Sequence, residues 1–169
     1  MHQSGNNFLA HERLAIMDPA SGDQPLFNED RTISVTVNGE IYNYKELMAK
    51  ILEKKPGLKF ATQSDCEVGP VAHNSSAFMG ELHGRHDDTL PVCPSCPQVI
   101  SHLYELFGND VASMLDGFFA FVILDKNTNT FYAARDPIGI TCMYIGWGRD
   151  GSVWLSSEMK CLKVGPGMN

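Results

Sequence analysis

A short polar segment, Asn38-Gly39-Glu40, carries groups from which a site for a polar ligand could be built. The Asn38 side chain offers an amide N–H, and Gly39 offers a main-chain N–H with no Cβ to obstruct a ligand. Glu40 offers a negative charge for an amino group. Two N–H donors beside a carboxylate are the parts of an oxyanion hole next to a group that holds the substrate. The alternative is a hairpin turn, which Asn-Gly also favours.

Two further charged residues are candidates for the same kind of site. Arg13 stands among apolar residues in Phe8–Met17. It either snorkels from the edge of a core or clamps a substrate carboxylate with its planar guanidinium group. Asp65 lies near the end of a short extended piece, Phe60–Glu67, where the N-cap of a following helix is the simpler interpretation. Taken alone, both residues favour a structural role.

The elements around Asn38 are predicted from the spacing of apolar residues. Apolar and hydroxyl side chains alternate from Thr32 to Val37, which predicts a strand. We expect this strand to break at Asn38-Gly39-Glu40. A helix is then expected from Asn43 to about Lys55, ended by Pro56-Gly57.

The second half of the chain predicts one helix and a series of hairpins. Ile100–Phe107 is amphipathic and is followed by Gly108, which predicts a helix. The hairpin strands are expected at Phe118–Leu124 with Thr130–Ala134, and at Met143–Trp147 with Val153–Ser156. Hairpins combined with two helices predict an α+β fold with stacked antiparallel sheets.

The segment from Val68 to Gln98 has no strand or helix periodicity, and a structureless loop of this length is uncommon inside a compact domain. It contains His83-x-x-His86 and Cys93-x-x-Cys96, which together could form a zinc site. The order and spacing of these ligands differ from those of common zinc fingers. We therefore expect no metal here.

Composition narrows the function classes. The chain has 169 residues, 43% of them hydrophobic, which is enough for one domain with a core. A net charge of −7 argues against a nucleic-acid or anionic-membrane surface. No apolar run approaches the roughly 20 residues that span a bilayer. The first residues lack the features of a secretory signal, and five cysteines without framework spacing favour a reducing compartment.

Many segments of the sequence form a recognisable set. They are L-A-H-E-R-L-A-I-M-D-P, S-G-D-Q-P-L-F-N, V-N-G-E-I-Y-N, S-D-C-E-V, H-L-Y-E-L-F-G, M-L-D-G-F-F-A-F-V-I-L-D, A-A-R-D-P-I-G-I, Y-I-G-W-G-R-D-G-S-V-W and S-S-E-M-K. Together these segments resemble one known family, the glutaminase domain of asparagine synthetases, which are glutamine-hydrolysing class II amidotransferases. They cover nearly all of residues 1–169 outside Val68–Gln98. The resemblance implies an N-terminal-nucleophile hydrolase fold, an αββα sandwich.

The resemblance also implies roles for the five candidate residues. Arg13 would hold the α-carboxylate of glutamine, Asn38 and Gly39 would form the oxyanion hole, and Glu40 and Asp65 would bind the amino end. The implied chemistry is thiolate attack on the side-chain amide, a thioester, and release of ammonia. A separate synthetase domain would use ATP and Mg²⁺ to convert aspartate to asparagine, so no cofactor is expected in this chain. The resemblance further implies a cytosolic protein that forms a homodimer or pairs with full-length subunits.

The nucleophile is where the chain departs from the family. The family nucleophile is a cysteine at the mature N-terminus, and none of the five cysteines stands at a matching position. The L-A-H-E-R segment begins only at Leu9, so we expect the domain to be incomplete at its N-terminus, without its first strand. We also expect the synthetase domain to be absent and the chain to be inactive alone. The alternative is a catalytically dead module that binds glutamine or interacts with other subunits.

The segment Val68–Gln98 departs from the family pattern as well. Removing its 31 residues joins S-D-C-E to V-I-S-H-L-Y-E, which restores the pattern. A valine codon begins with GT, a glutamine codon can be CAG, and Thr89–Pro97 can be encoded by a pyrimidine-rich tract. We therefore hypothesise that residues 68–98 are translated intron, or an atypical insertion without folded structure. The alternative is a genuine lid loop that enters beside Asp65.

Overall fold

An antiparallel sheet of four strands forms the centre of the molecule. The structure is a computed structural model, and it describes residues 1–11, 24–58, 60 and 96–162. Its strands, in chain order, are β1 (His2–Ser4), β2 (Asn7–Leu9), β3 (Leu26–Phe27), β4 (Ile33–Ile41), β5 (Gly117–Asp125), β6 (Thr130–Arg135), β7 (Tyr144–Trp147) and β8 (Val153–Ser156). Its helices are α1 (Tyr44–Lys54), α2 (Cys96–Phe107) and α3 (Val111–Met114), with 3₁₀ turns at Gly108–Asp110 and Met159–Leu162.

The central sheet has the strand order β3-β4-β5-β6, and every pair in it is antiparallel. The two long strands β4 and β5 pair along nine residues, from Ile33 opposite Asp125 to Ile41 opposite Gly117. In the described part of the chain, β1 with β2 and β7 with β8 form separate two-stranded antiparallel sheets. The long β4–β5 pair is therefore the frame to which the other elements are attached.

The core lies where α1 and α2 meet the central sheet. α2 contacts both β4 and α1. The buried apolar side chains of this core are Leu47 and Ile51 from α1, Val99, Ile100 and Leu103 from α2, Val35 from β4, and Phe119, Phe121 and Ile123 from β5. Each such side chain contributes about 1.5–3 kcal/mol when it is removed from water. Leu47 and Ile51 are spaced four residues apart, which puts both on one face of α1.

The observed architecture confirms the predicted α+β class with antiparallel sheets. The helix predicted from Asn43 to about Lys55 is α1, and the predicted strands at Phe118–Leu124 and Thr130–Ala134 are β5 and β6, each within one residue at every end. The predicted last hairpin is β7 with β8. Buried apolar runs and turn residues identified these elements because each pattern is local.

The predicted break at Asn38-Gly39-Glu40 is wrong. β4 continues through these three residues to Ile41, and each of them pairs with a residue of β5. Gly39 has a φ of +129° and lies so close to β5 that an added Cβ would overlap the Phe118 carbonyl oxygen. Pairing with the distant β5 outweighs the local turn preference of Asn-Gly.

The start of α2 also differs from the prediction, since the helix begins at Cys96 rather than Ile100. Gln98 and Val99 are buried, and the Ser101 hydroxyl donates to the Gln98 carbonyl oxygen at 2.9 Å. The last three residues of the predicted insertion 68–98 therefore belong to the first turn of α2. The rest of that segment, including both histidines and Cys93 of the proposed zinc set, lies outside the described residues.

None of the helices in the described part of the chain has the length and the apolar character that crossing a membrane requires.

Gly39→Ala is expected to lower the free energy of unfolding by about 2–4 kcal/mol, because the new methyl group would overlap the Phe118 carbonyl oxygen at a φ that alanine disfavours. Urea denaturation measures this loss. Gly57→Ala is the matched control, since Gly57 also has a positive φ of +98° but no atom lies within 4 Å of an added Cβ. A loss at Gly57 equal to that at Gly39 would contradict the role assigned to the close approach of β5.

Candidate functional site

Three of the five predicted site residues lie together at the end of β4. Asn38, Gly39 and Glu40 stand opposite Ala120, Phe119 and Phe118 of β5. The Asn38 side chain is exposed, whereas Gly39 and Glu40 are half-buried. Because side chains alternate along a strand, Asn38 and Glu40 project from one face of β4. Arg13 and Asp65, the other two predicted residues, lie outside the described residues.

An open pocket of about 380 Å³ lies beside Asn38. Three parts of the chain line it: Asn38 and Phe118 from the central sheet, Ile140, Thr141 and Cys142 from the loop after β6, and Ser157 and Glu158 from the turn after β8. Residues with amide, thiol, hydroxyl and carboxylate side chains therefore surround one open space. This space is the candidate small-molecule site.

The carboxylate of Asp136 holds the loop that forms one wall of this pocket. One of its oxygens accepts from the main-chain N–H groups of Gly139 at 2.6 Å and Ile140 at 3.0 Å. The other accepts from the N–H groups of Thr141 at 3.2 Å and Phe119 at 3.3 Å. The Asp136 N–H in turn donates to the Phe119 carbonyl oxygen at 2.8 Å. These bonds fix the loop to β5 at the residue that pairs with Gly39.

Asp136 is buried, with only 3% of its surface exposed. Burial acts to raise the pKa of Asp136, but the four main-chain N–H donors outweigh this effect and lower the pKa below the ordinary aspartate value of 3.8. The group is therefore a carboxylate at neutral pH, and the loop is bound to a charged acceptor.

The junction between β4 and α1 is fixed by Asn43. Its side chain donates to the Met114 carbonyl oxygen at 2.9 Å and accepts from the Asp116 N–H at 3.0 Å. The Tyr42 N–H also donates to the Asp116 carbonyl oxygen at 2.7 Å. Asn43, three residues after Glu40, thus has a structural role.

Gln24 is a positioning residue that the sequence did not reveal. Its side-chain amide donates to the Val37 carbonyl oxygen at 2.9 Å and accepts from the Val37 N–H at 2.8 Å. It thereby pairs with β4 at the residue before Asn38. No local pattern predicts this contact, because its partner lies 13 residues away.

The sequence does contain a weak indication of the role of Asp136, since Asp-Pro commonly opens a turn in which the carboxylate accepts nearby N–H groups.

Among the residues described, no group of three or more histidine, cysteine, aspartate or glutamate side chains is placed to hold a metal ion.

Comparison with known sequences gives concordant results along nearly the whole chain. Two family models, each described as a glutamine amidotransferase domain, match residues 1–84 and 95–164. The gap between them lies inside the predicted insertion. Asparagine synthetase [glutamine-hydrolyzing] 1 of Arabidopsis thaliana is 51% identical over 162 residues, which are 96% of this chain and 22% of the relative. The enzyme of Asparagus officinalis is 52% identical over 160 residues, 95% of this chain and 21% of the relative. The chain thus spans about a fifth of these relatives.

Two solved structures share the fold of this chain. A glutamine phosphoribosylpyrophosphate amidotransferase from B. subtilis, complexed with ADP and GMP, has a TM-score of 0.53 and 22% identity, covering 83% of this chain and 26% of that chain. The allosteric regulatory enzyme of purine biosynthesis has a TM-score of 0.53 and 24% identity, covering 85% and 26%. At this identity the likeness concerns the fold alone. It confirms the predicted α+β fold with antiparallel sheets.

Asp136→Asn is expected to destabilise the chain at pH 7, because an amide cannot accept four N–H groups as the carboxylate does. The folded-state pKa of Asp136 lies below its value of 3.8 in the unfolded chain, so the charged carboxylate stabilises fully above about pH 4. This stabilisation is lost as the pH falls through the folded-state pKa. Urea unfolding should therefore show a gap between wild type and variant that narrows below pH 4.

Asp150→Asn is the control for this experiment. Asp150 accepts from the Ser152 N–H at 3.0 Å and the Ser152 hydroxyl at 2.6 Å, on the exposed turn between β7 and β8. Exposed bonds of this kind contribute little, so this variant should stay close to the wild type. A gap for Asp136→Asn that does not change between pH 7 and pH 3 would contradict the role given to its charge.

Proposed function

The chain belongs to the glutamine amidotransferase domains and is homologous to the glutamine-hydrolysing asparagine synthetases of plants, and from this premise we propose that it binds L-glutamine at the end of β4. The side-chain amide of glutamine would lie against Asn38 and Gly39. This places the ligand's reactive carbon in the pocket between the central sheet and the loop that Asp136 holds.

The observation that carries the proposal is the exposed amide of Asn38 in an open pocket. Asn38 makes the pocket wall together with Phe118, and the volume of about 380 Å³ suits a ligand the size of an amino acid. Because Asn38 belongs to a nine-residue strand paired along its whole length, the backbone that carries its amide is fixed before a ligand arrives. A donor carried on a fixed backbone stabilises a developing oxyanion with little reorganisation.

The remaining contacts of the ligand follow from the charges of glutamine. Glu40 carries a negative charge that suits the α-amino group, and it lies two residues from Asn38 on the same face of β4. Arg13 would bind the α-carboxylate and Asp65 would bind the amino end. The support for Arg13 and Asp65 is the family resemblance of their sequence segments.

We further propose that the protein supplies ammonia from glutamine for ATP-dependent conversion of aspartate to asparagine. The support is the 51% identity to an asparagine synthetase. ATP and Mg²⁺ would bind a synthetase domain, and no role is proposed for them among these 169 residues. We propose the cytosol as the compartment, because five cysteines without framework spacing suit a reducing environment and both Cys142 and Cys161 are free thiols.

A second candidate function is a subunit-interaction module, as a homodimer or with full-length subunits. The hairpin of β7 and β8 favours it, since Trp147 and Trp154 are 58% and 49% exposed and Ile145 is 49% exposed. Exposed apolar groups of this size are typical of interaction surfaces. Sedimentation over a range of concentrations would separate the two candidates: a mass that rises with concentration supports the module, and a constant monomer mass removes it.

Asn38→Ala is expected to weaken L-glutamine binding about tenfold, because the loss of one hydrogen bond to a polar ligand costs on the order of 1.4 kcal/mol. Titration calorimetry with the folded chain measures the dissociation constant. Asn127→Ala is the matched control, since Asn127 is an exposed asparagine in the β5–β6 turn at the opposite end of the sheet. It should bind glutamine as the wild type does.

Two outcomes would contradict the proposal. The first is no heat with L-glutamine from a chain that unfolds cooperatively, and the second is an equal loss of affinity in both variants. Ammonia release, measured on the same samples, distinguishes a working glutaminase from a module that binds glutamine without turnover.

A further inference from the structure

The main-chain hydrogen bonds of β4 alternate between its two sides. In an antiparallel sheet, the N–H and C=O groups of one residue point to one neighbouring strand, and those of the next residue point to the other side. The Tyr42 N–H donates to the Asp116 carbonyl oxygen at 2.7 Å, and the register of β4 with β5 pairs Asn38 with Ala120. The even-numbered residues of β4 therefore point their main-chain groups toward β5.

The odd-numbered residues of β4 point their main-chain groups toward β3. The Asn28 N–H donates to the Ile33 carbonyl oxygen at 3.2 Å, and the register of β3 with β4 pairs Leu26 with Val35. Gly39 is an odd-numbered residue of the same strand. Its main-chain N–H, one of the two proposed oxyanion donors, thus points to the β3 side and is not used by β5.

Gln24 lies where the pairing of β3 with β4 would continue. The register of these strands, extended by two residues, puts Gln24 opposite Val37. The Gln24 side-chain amide makes both bonds of this pair, donating to the Val37 carbonyl oxygen at 2.9 Å and accepting from the Val37 N–H at 2.8 Å. Within the described residues, Gly39 has no partner on this side of β4. The N–H of Gly39 is therefore available to a ligand next to a strand position that Gln24 holds.

The bonds of Gln24 fix the peptide unit that leads into the candidate site. The Val37 carbonyl group and the Asn38 N–H belong to one planar unit. Gln24 holds the carbonyl end of this unit, and β5 faces its N–H end through the pair of Asn38 with Ala120. A plane held from both sides sets the direction in which the Asn38 side chain leaves the strand. Gly39 follows directly, and glycine has more backbone freedom than any other residue, so its orientation depends on a fixed neighbour.

We propose that Gln24 is a positioning residue for ligand binding at Asn38 and Gly39. The proposal rests on the proposed function, because it needs a glutamine amide held by these two donors. Gln24 acts through the Val37 backbone and makes no contact with the ligand. It keeps both donors oriented toward the ligand's carbonyl oxygen, so that binding does not first have to order this end of β4.

Titration calorimetry with L-glutamine compares Gln24→Ala with the wild type. We expect the dissociation constant to rise about tenfold, because the two bonds that order the donors are lost. Asn28→Ala is the matched control, since the buried Asn28 side chain also accepts from a β4 N–H, that of Ile33 at 2.9 Å, but at the far end of the strand from Asn38. Both variants should lower the free energy of unfolding, and only Gln24→Ala should weaken binding.

Gln24→Glu tests the same bonds by a change of pH. At pH 7 the introduced carboxylate still accepts from the Val37 N–H but repels the Val37 carbonyl oxygen, so binding should be weakened. A protonated carboxyl group has one donor and one free acceptor oxygen, as the amide has. The half-buried position and the facing carbonyl oxygen favour this protonated form. The dissociation constant of the variant, divided by that of the wild type at the same pH, should therefore fall at least about threefold between pH 7 and pH 5.

The division by the wild-type value removes the effect of groups that titrate in both proteins, such as Glu40. Gln24→Ala has no group to protonate at this position, so its ratio should stay constant between pH 7 and pH 5. The amide NMR signal of Gly39 gives a direct readout of the proposed donor. Saturating L-glutamine should shift this signal equally in the wild type and Asn28→Ala, and less in Gln24→Ala.

The outcomes separate this proposal from the proposed function. If the wild type binds L-glutamine and Gln24→Ala binds it equally well, or if the ratio for Gln24→Glu does not change with pH, this proposal is overturned and glutamine binding stands. An equal loss of affinity in Gln24→Ala and Asn28→Ala overturns it too, because the effect would then be a general loosening of β4. Gln24→Glu decides alone if Gln24→Ala does not unfold cooperatively. If the folded wild type gives no heat with L-glutamine, the proposed function fails and this proposal fails with it.

Discussion

The arrangement of the pocket depends on one buried carboxylate, that of Asp136. The chain between β6 and β7 has no regular secondary structure, so its N–H groups need partners from elsewhere. Asp136 supplies an acceptor to three of them and to Phe119 of β5 as well. The carboxylate thus joins an irregular loop to a regular strand. These hydrogen bonds take the place of the pairing between strands. They hold the loop so that it can form the wall of the pocket that contains the thiol.

The second determinant is the close approach of β4 and β5 where the site lies. Gly39 faces the Phe118 carbonyl oxygen, and on the partner strand Gly117 faces the Glu40 carbonyl oxygen. Both glycines have positive φ values, +129° and +152°. Without side chains at these two positions the strands approach closely, and the candidate binding residues are carried on a paired strand rather than on a free loop. Sites on regular elements hold their geometry better than sites on loops.

Sequence reasoning succeeded where the signal was local and failed where a distant partner decided the structure. The alternation before Asn38 and the apolar run of β5 each predicted a strand. Asn-Gly predicted a turn in the same way, but nine residues of pairing with β5 prevail. The early start of α2 goes with the burial of Gln98 and Val99, which no local pattern reports.

The candidate site was likewise predicted only in part. Asn38, Gly39 and Glu40 were identified from their chemistry, and the structure places them on one strand. The wall opposite Asn38 could not be predicted, because Cys142 is brought there by bonds to Asp136 and β5.

Gln24 binds the Val37 backbone with its own amide, next to Asn38 on the side where β3 is only two residues long. An open strand edge is a template for pairing with another molecule. The amide of Gln24 occupies both the donor and the acceptor of Val37, so an added strand could not pair with β4 at this residue.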